Sequence, residues 1–277
     1  MDTLPWKKNR GEISEMLLAV DVGNTCMLLG VFDEDRLVAH WRIRTIRNRT
    51  VDEYAVLFEQ LFSLRNIKRA QISHGVLACV VPPLQDVLVA VMLDRFDVKP
   101  LVVGPGIRTG MPILLDNPKE VGADRIVNAV AAYEKAHGAC IVVDFGTATT
   151  FDVISAKGEY VGGAISPGIG ISAEALYRNA AKLPRVPIVR PRCVVGRSTI
   201  ESIKSGLVYG YMGLVEGMLE RMIRELKFDD CAVFATGGQA FLIAGMSRHI
   251  REVDEFLTLK GLRLLFQRNA KKPHTPV

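Results

Sequence analysis

Long hydrophobic runs are missing from this 277-residue chain: the apolar stretch Val87 to Leu93 meets Asp94 and Arg95 at once. A bilayer-spanning helix needs about 18 or more apolar residues, so a membrane span is excluded. The segment from Met1 to Glu15 is polar, lacks the apolar core of a secretory signal and reads as a disordered extension ahead of Met16. A cytoplasmic location is expected. Cysteines are few, odd in number and far apart, at Cys26, Cys79, Cys140, Cys193 and Cys231, with no zinc or redox spacing among them. Reduced, mostly buried thiols are expected. The five histidines are as scattered, which argues against a histidine metal site. Against a net charge of +5, only short basic clusters occur, from Arg42 to Arg49 and at Lys271 and Lys272. Such dispersion suits a solvated surface and small anionic substrates, not a nucleic-acid stripe.

What is present is a globular balance, 49% hydrophobic and 23% charged, at a length that suits two domains, each with its own core. The chain also repeats itself. Leu17 to Gly23 is an apolar strand ending in Asp-x-Gly, and Ile141 to Gly146 follows the same pattern. A second apolar segment comes next in each copy, Met27 to Phe32 and Thr150 to Ile154. Polar turns at Asp33-Glu34-Asp35 and Ala156-Lys157-Gly158 then lead to further strands at Leu37 and Tyr160. Two equivalent βββ units are implied.

Helical periodicity appears over Val51 to Leu64 and Arg125 to His137. Ser198 and Glu201 form a Ser-x-x-Glu capping pattern ahead of a longer helix that includes Leu207, Tyr211, Leu214 and Met218. Cys231 to Thr236 reads as a buried strand ending in Gly237-Gly238, and the prolines between Lys182 and Pro191 mark an extended loop. The expected fold is α/β: a two-lobed, actin-like (ribonuclease H-like) ATPase with duplicated βββαβα domains and an interlobe cleft. The N-terminal lobe is expected over 16–118 and the C-terminal lobe over 119–277, with the last helix packing back on the first lobe.

Phosphate chemistry is suggested by the two strand-end turns. In Asp21-Val22-Gly23-Asn24-Thr25 a carboxylate ends the strand, the glycine admits close backbone approach, and Asn and Thr supply hydrogen-bonding groups. Exposed turn N–H groups bind phosphate oxygens, and an acidic residue there can hold Mg²⁺. Alone, such a turn could equally be an ordinary hairpin. The second copy, Asp144-Phe145-Gly146-Thr147-Ala148-Thr149-Thr150, argues for two cradles acting on one polyphosphate. Ala235-Thr236-Gly237-Gly238 is a weaker glycine-bearing turn. Asp124 and Arg125, ahead of an amphipathic helix, sit where a helix N-terminus favours anions, although Asp124 could simply cap that helix.

In order, Asp21-x-Gly-Asn-Thr25, Asn117-Pro-x-x-Val-Gly-Ala-Asp-Arg125, Asp144-Phe-Gly-Thr-Ala-Thr-Thr150 and Gly162-Gly-Ala-Ile-Ser-Pro-Gly168 resemble the motifs of type III pantothenate kinases. The resemblance runs from Met16 to beyond Gly238. It implies ATP-dependent phosphorylation of pantothenate to 4'-phosphopantothenate, the first step of coenzyme A biosynthesis. By position it implies ATP contacts at Asp21, Val22, Gly23, Asn24, Thr25, Cys26, Met27, Leu28 and Thr147. Pantothenate contacts fall at Gly122, Ala123, Asp124, Arg125 and Thr199, with Asp124 as proton acceptor. Asp144 would hold a monovalent cation, K⁺ or NH₄⁺, while Asp21 would meet Mg²⁺ through water, and a homodimer is implied. The family often carries Tyr two residues before Asn117, where this chain has Leu115, so one substrate contact is altered. A kinase of another small hydroxylated substrate on the same fold, and a non-enzymatic regulatory accessory protein, are the alternative readings. The Gly-Ala-Asp-Arg run argues against the first, and the intact Asp124 with both cradles against the second.

Overall fold

The computed structural model describes residues 15–228 and 230–270. The polar extension from Met1 lies outside them except for Glu15, as do Lys271 and Lys272. The chain divides into two compact units. The first holds the residues up to Gly110, Lys119–Val130 and those from Thr258, and the second holds Met111–Pro118 and Ala131–Leu257.

The first unit is built on β1 (Met16–Val22), β2 (Cys26–Asp33), β3 (Arg36–Arg44), β4 (Ile72–Cys79) and β5 (Leu101–Val102), in the spatial order β3-β2-β1-β4-β5. β1 pairs antiparallel with β2 and parallel with β4. The β2–β3 turn is closed by Glu34 at φ 56, a left-handed conformation that a short polar turn tolerates. Two helices connect the strands. α1 (Val51–Ser63) starts at Thr50, whose hydroxyl accepts from Glu53 N while Glu53 Oε2 accepts from Thr50 N, so two orphan donors are satisfied reciprocally. α2 (Pro82–Phe96) opens on proline, which needs no N–H partner there, and stops at Asp97 in the left-handed region.

Because strand side chains alternate, β1 divides its residues between two environments. Leu18, Val20 and Val22 join Tyr54, Phe58 and Phe62 of α1 and Leu84 and Leu88 of α2 in one core. Full burial of each large side chain in that core contributes about 1.5–3 kcal/mol relative to exposure. Ala19 and Asp21 take the opposite face, along which Gly30 lets Leu259 pack directly on β2. Leu259 belongs to α7 (Leu257–Ala270), which also receives α3 (Ala123–Ala136): a Cβ at Gly261 would overlap Val127 of α3. Thr258 Oγ1 donates to Asn128 Oδ1 at 2.8 Å beside this crossing, so both buried polar groups are paired.

The second unit repeats the plan with β6 (Cys140–Phe145), β7 (Ala148–Ile154), β8 (Tyr160–Pro167), β9 (Ala232–Gly237) and β10 (Glu252–Val253), ordered β10-β9-β6-β7-β8. Helices α4 (Ile169–Asn179), α5 (Thr199–Leu226) and α6 (Ala240–Ala244) complete it. Ser198 Oγ accepts from Glu201 N and starts α5 where its capping pattern predicts. Ile141, Val143 and Phe145 share a core with Tyr211, Val215 and Leu219 of α5, and Val142 and Asp144 take the other face. The cysteines are all free. Burial pushes the Cys140 thiol up to about 12 and the Cys231 thiol up to about 11, whereas Cys193 is exposed. Among the described residues no helix is long and apolar enough to cross a membrane.

Candidate active site

Each repeat puts its acidic residue at the same place. Asp21, one residue from the end of β1, lies opposite Leu28 of β2 and Ala78 of β4. Asp144, one residue from the end of β6, lies opposite Thr150 of β7 and Thr236 of β9. Both carboxylates are half-buried and face away from the helices that fill the adjoining core.

The first turn is short. Gly23 N donates to Cys26 O at 3.0 Å, which leaves Asn24 and Thr25 exposed at the tip. Val22 and Met27 turn their side chains into the core, so only their backbone can meet a ligand. Cys26 and Leu28 are half-buried on the same face as Asp21. Burial raises the Cys79 thiol pKa, and the Asp21 charge nearby adds to the effect.

The second turn is assembled from three segments. Gly146 N donates to Ala148 O at 3.1 Å, and Gly168 N, at the start of α4, donates to Thr147 O at 3.1 Å. A Cβ on Gly168 would stand 2.6 Å from Gly146 O and closer still to Thr147 O, so only glycine lets α4 abut the turn. Gly237 closes the other flank with φ +93. Below the turn, the hydroxyls of Thr149 and Tyr211 are hydrogen-bonded, and the Tyr211 phenol is raised by burial, with the Asp144 charge adding to the effect. Thr147 itself is exposed. The Gly162 to Gly168 and Ala235 to Gly238 motifs thus share a role: they bring backbone against Asp144 and its turn. Tyr211 was legible in the sequence only as an apolar helix position.

Asp124 lies in the first turn of α3. Its Oδ1 accepts from Arg125 N at 2.9 Å, and a Cβ on Gly122 would stand only 2.5 Å from that same oxygen. Burial holds the Asp124 pKa above the ordinary carboxylate value, opposed by the Arg125 N–H and the Arg125 charge. A carboxylate of this kind, helix-held and partly stripped of water, is a stronger base than an exposed one. Gly122, Ala123 and Arg125 are all half-buried around it.

Two expected substrate contacts lie in the second unit. Thr199 opens α5 and lines an open, mainly apolar groove of about 520 Å³ with Ser172, Leu176, Ile203 and Leu207. Leu115 runs beside β8, where its Cδ2 lies 3.5 Å from the position a Gly162 Cβ would take. Pro112 O accepts from Tyr160 N and Leu114 N donates to Tyr160 O, each at 2.8 Å, so this segment is tied to β8 through its backbone.

Two βββ units, each with a carboxylate near the end of its first strand, give the chain its actin-like fold, and comparison with solved structures agrees on the fold. A conserved protein assigned to the Baf family of transcriptional activators, from Campylobacter jejuni, superposes with a TM-score of 0.57 at 17% identity, covering 92% of this chain and 100% of that one. The ethanolamine utilization protein EutJ from Carboxydothermus hydrogenoformans gives 0.52 at 15% identity, covering 90% and 89%. These likenesses carry the fold alone. The family model for type III pantothenate kinase matches residues 17–221. Type III pantothenate kinases of Anaeromyxobacter sp. (strain K), Myxococcus xanthus and Geobacter sulfurreducens are 59%, 57% and 55% identical over 254 residues. Each alignment covers 92% of this chain and at least 99% of the relative. The chain belongs to the type III pantothenate kinase family.

Proposed function

We propose that this chain transfers the γ-phosphoryl group of ATP to the hydroxyl of pantothenate, in the cytoplasm, as the first step of coenzyme A biosynthesis. The observation that carries the reading is Asp124: a half-buried carboxylate of raised pKa, seated by Gly122 within the Gly-Ala-Asp-Arg run. Asp124 accepts the proton of the pantothenate hydroxyl as that oxygen attacks phosphorus. Gly122, Ala123, Arg125 and Thr199 orient the substrate, and Leu115 offers it an apolar contact. The turn from Asp21 to Leu28 contacts ATP, with Asn24 and Thr25 at its exposed tip, and Thr147 adds a hydroxyl.

The residues present fit both expected cations. Asp21 lies one residue from the end of its strand, beside an exposed turn, as a carboxylate meeting Mg²⁺ through water requires. Asp144 is backed by glycine on two sides, Gly146 and Gly237, a cradle that a Cβ on Gly237 would fill. When bound, Mg²⁺ and K⁺ or NH₄⁺ neutralise charge on the polyphosphate. A homodimer is part of the proposal, because Val194, Val195 and Ile200 expose 66%, 81% and 46% of their surface around the start of α5. Sedimentation as a fully active monomer would remove that part.

The test of the function is ATP consumption by the purified protein against pantothenate, pantetheine and a panel of sugars. Turnover that depends on pantothenate supports the reading, and turnover confined to a sugar sinks it.

A further inference from the structure

The segment that follows β3 is tied to the first phosphate turn more closely than a connecting loop requires. Thr45 makes two bonds to that turn. Its Oγ1 donates to Gly23 O at 2.7 Å, and its N–H donates to Thr25 O at 3.0 Å. Two residues on, Arg47 Nη2 donates to the Asn24 side-chain oxygen at 3.0 Å. The far end of the segment is fixed as well. The Tyr54 hydroxyl, from a residue wholly buried in α1, donates to Ile46 O at 2.9 Å and accepts from Ile46 N at 3.3 Å. The Arg49 guanidinium lies 5.6 Å from the centre of the same ring. The strap from Thr45 to Arg49 therefore links the Gly23–Thr25 turn to the helical core of its unit.

The consequence follows from peptide geometry. In a planar trans peptide the C=O and N–H point in opposite directions. By holding Gly23 O, the Thr45 hydroxyl fixes the Gly23–Asn24 peptide plane and turns the Asn24 N–H away from Thr45. Without that bond the plane keeps only the flanking backbone bonds of Gly23 N and Thr25 O and is held less firmly, since Gly23 has no Cβ to restrict it. A turn N–H that is oriented before the ligand arrives binds a phosphate oxygen without the cost of ordering.

We infer that Thr45 is a positioning residue for nucleotide binding, presenting the Asn24 N–H to a phosphate of ATP through its bond to Gly23 O. This rests on the reading of the Asp21 to Leu28 turn as the ATP contact. Thr45→Val keeps the shape and the backbone bond to Thr25 O but removes the hydroxyl, and Thr45→Ser restores it. Losing one such bond should raise the KM for ATP about three- to tenfold. The KM for pantothenate and the pH profile should not move, and Thr45→Ser should return the KM for ATP to the wild-type value. Should Thr45→Val fail to fold, Thr45→Ala carries the same comparison.

Hydrogen exchange in the wild-type peptide covering residues 16–33, with and without a non-hydrolysable ATP analogue, separates the two levels of the inference. Protection of the turn together with an unchanged KM for ATP in Thr45→Val overturns the role of Thr45 while leaving the turn as the ATP contact. No protection of the turn overturns both. A KM for ATP raised equally in the Val and Ser variants means that the hydroxyl, which Ser keeps, does not by itself set the affinity, and it also overturns the role.

Discussion

Gly237 stands against the Asp144 carboxylate so closely that a Cβ on it would lie 2.6 Å from Asp144 Oδ1. It also holds φ at +93, a conformation that side-chain-bearing residues rarely adopt. The end of β9 and the end of β6 are thus fitted to one another through a missing side chain. Gly237→Ala should cost about 1–3 kcal/mol of stability from backbone strain. It should also raise the K⁺ concentration needed for half-maximal activity, because the added methyl displaces the carboxylate. Thermal melting and a KCl titration at constant ionic strength check both. A variant with wild-type cation dependence would separate Asp144 from the cation.

Gly122 and Asp124 are related in the same way. With only 2.5 Å between Asp124 Oδ1 and a Cβ on Gly122, Gly122→Ala must push the carboxylate from its present position. Catalytic geometry tolerates displacements of well under an ångström, and misplacement by about 1 Å can cost 10²-fold. We expect turnover with pantothenate to fall by at least about tenfold while the KM for ATP stays within about twofold. Steady-state kinetics in both substrates is the check. An unchanged turnover would show that the carboxylate position does not govern the rate.

The raised pKa of Asp124 sets two pH dependences. As a base the residue acts only when ionised, so kcat/KM for pantothenate should fall on the acid side with an apparent pKa above the ordinary carboxylate value. The effect on stability runs the other way. A carboxyl whose folded pKa exceeds its unfolded pKa favours unfolding above the folded pKa, and that penalty disappears as pH drops below the unfolded value. Asp124→Asn, which carries no charge to desolvate, should therefore melt no lower than wild type at neutral pH. Melting curves across the pH range test this. A clear drop in Tm for the Asn variant at neutral pH would show that the ionised carboxylate stabilises the fold and would contradict a raised pKa.

Much of the fold was legible because the two βββ units repeat the same apolar strands and polar turns, which leaves little freedom. The expected strands at Leu17, Met27 and Leu37, and at Ile141, Thr150 and Tyr160, pair in the implied order. Helix α1 ends within a residue of its periodic limit, and α5 begins at the predicted cap. Helix α4 gave no such signal. Its start, Gly168-Ile169-Gly170, combines poor helix formers, and the close approach of Gly168 to the Gly146–Thr147 backbone is what fixes it. Asp21, Asp144 and Asp124 could be picked out from their places at strand ends and a helix start. What surrounds them could not: Thr45 bonds a turn 22 residues away, Tyr211 a strand 62 residues away, and Gly237 packs on Asp144 from another strand. Such partners depend on tertiary packing, which neither periodicity nor local spacing encodes.

The central claim is that Asp124 takes the proton from the pantothenate hydroxyl, and single-turnover phosphorylation by Asp124→Asn tests it most directly. Asparagine keeps the size of the side chain and an oxygen able to accept the Arg125 N–H bond, but it has no basic carboxylate. General-base assistance is worth roughly 10²- to 10⁴-fold, so the Asn variant should phosphorylate pantothenate slower by about that factor with nearly unchanged ATP affinity. Phosphorylation at close to the wild-type rate would make Asp124 a structural residue and contradict the account.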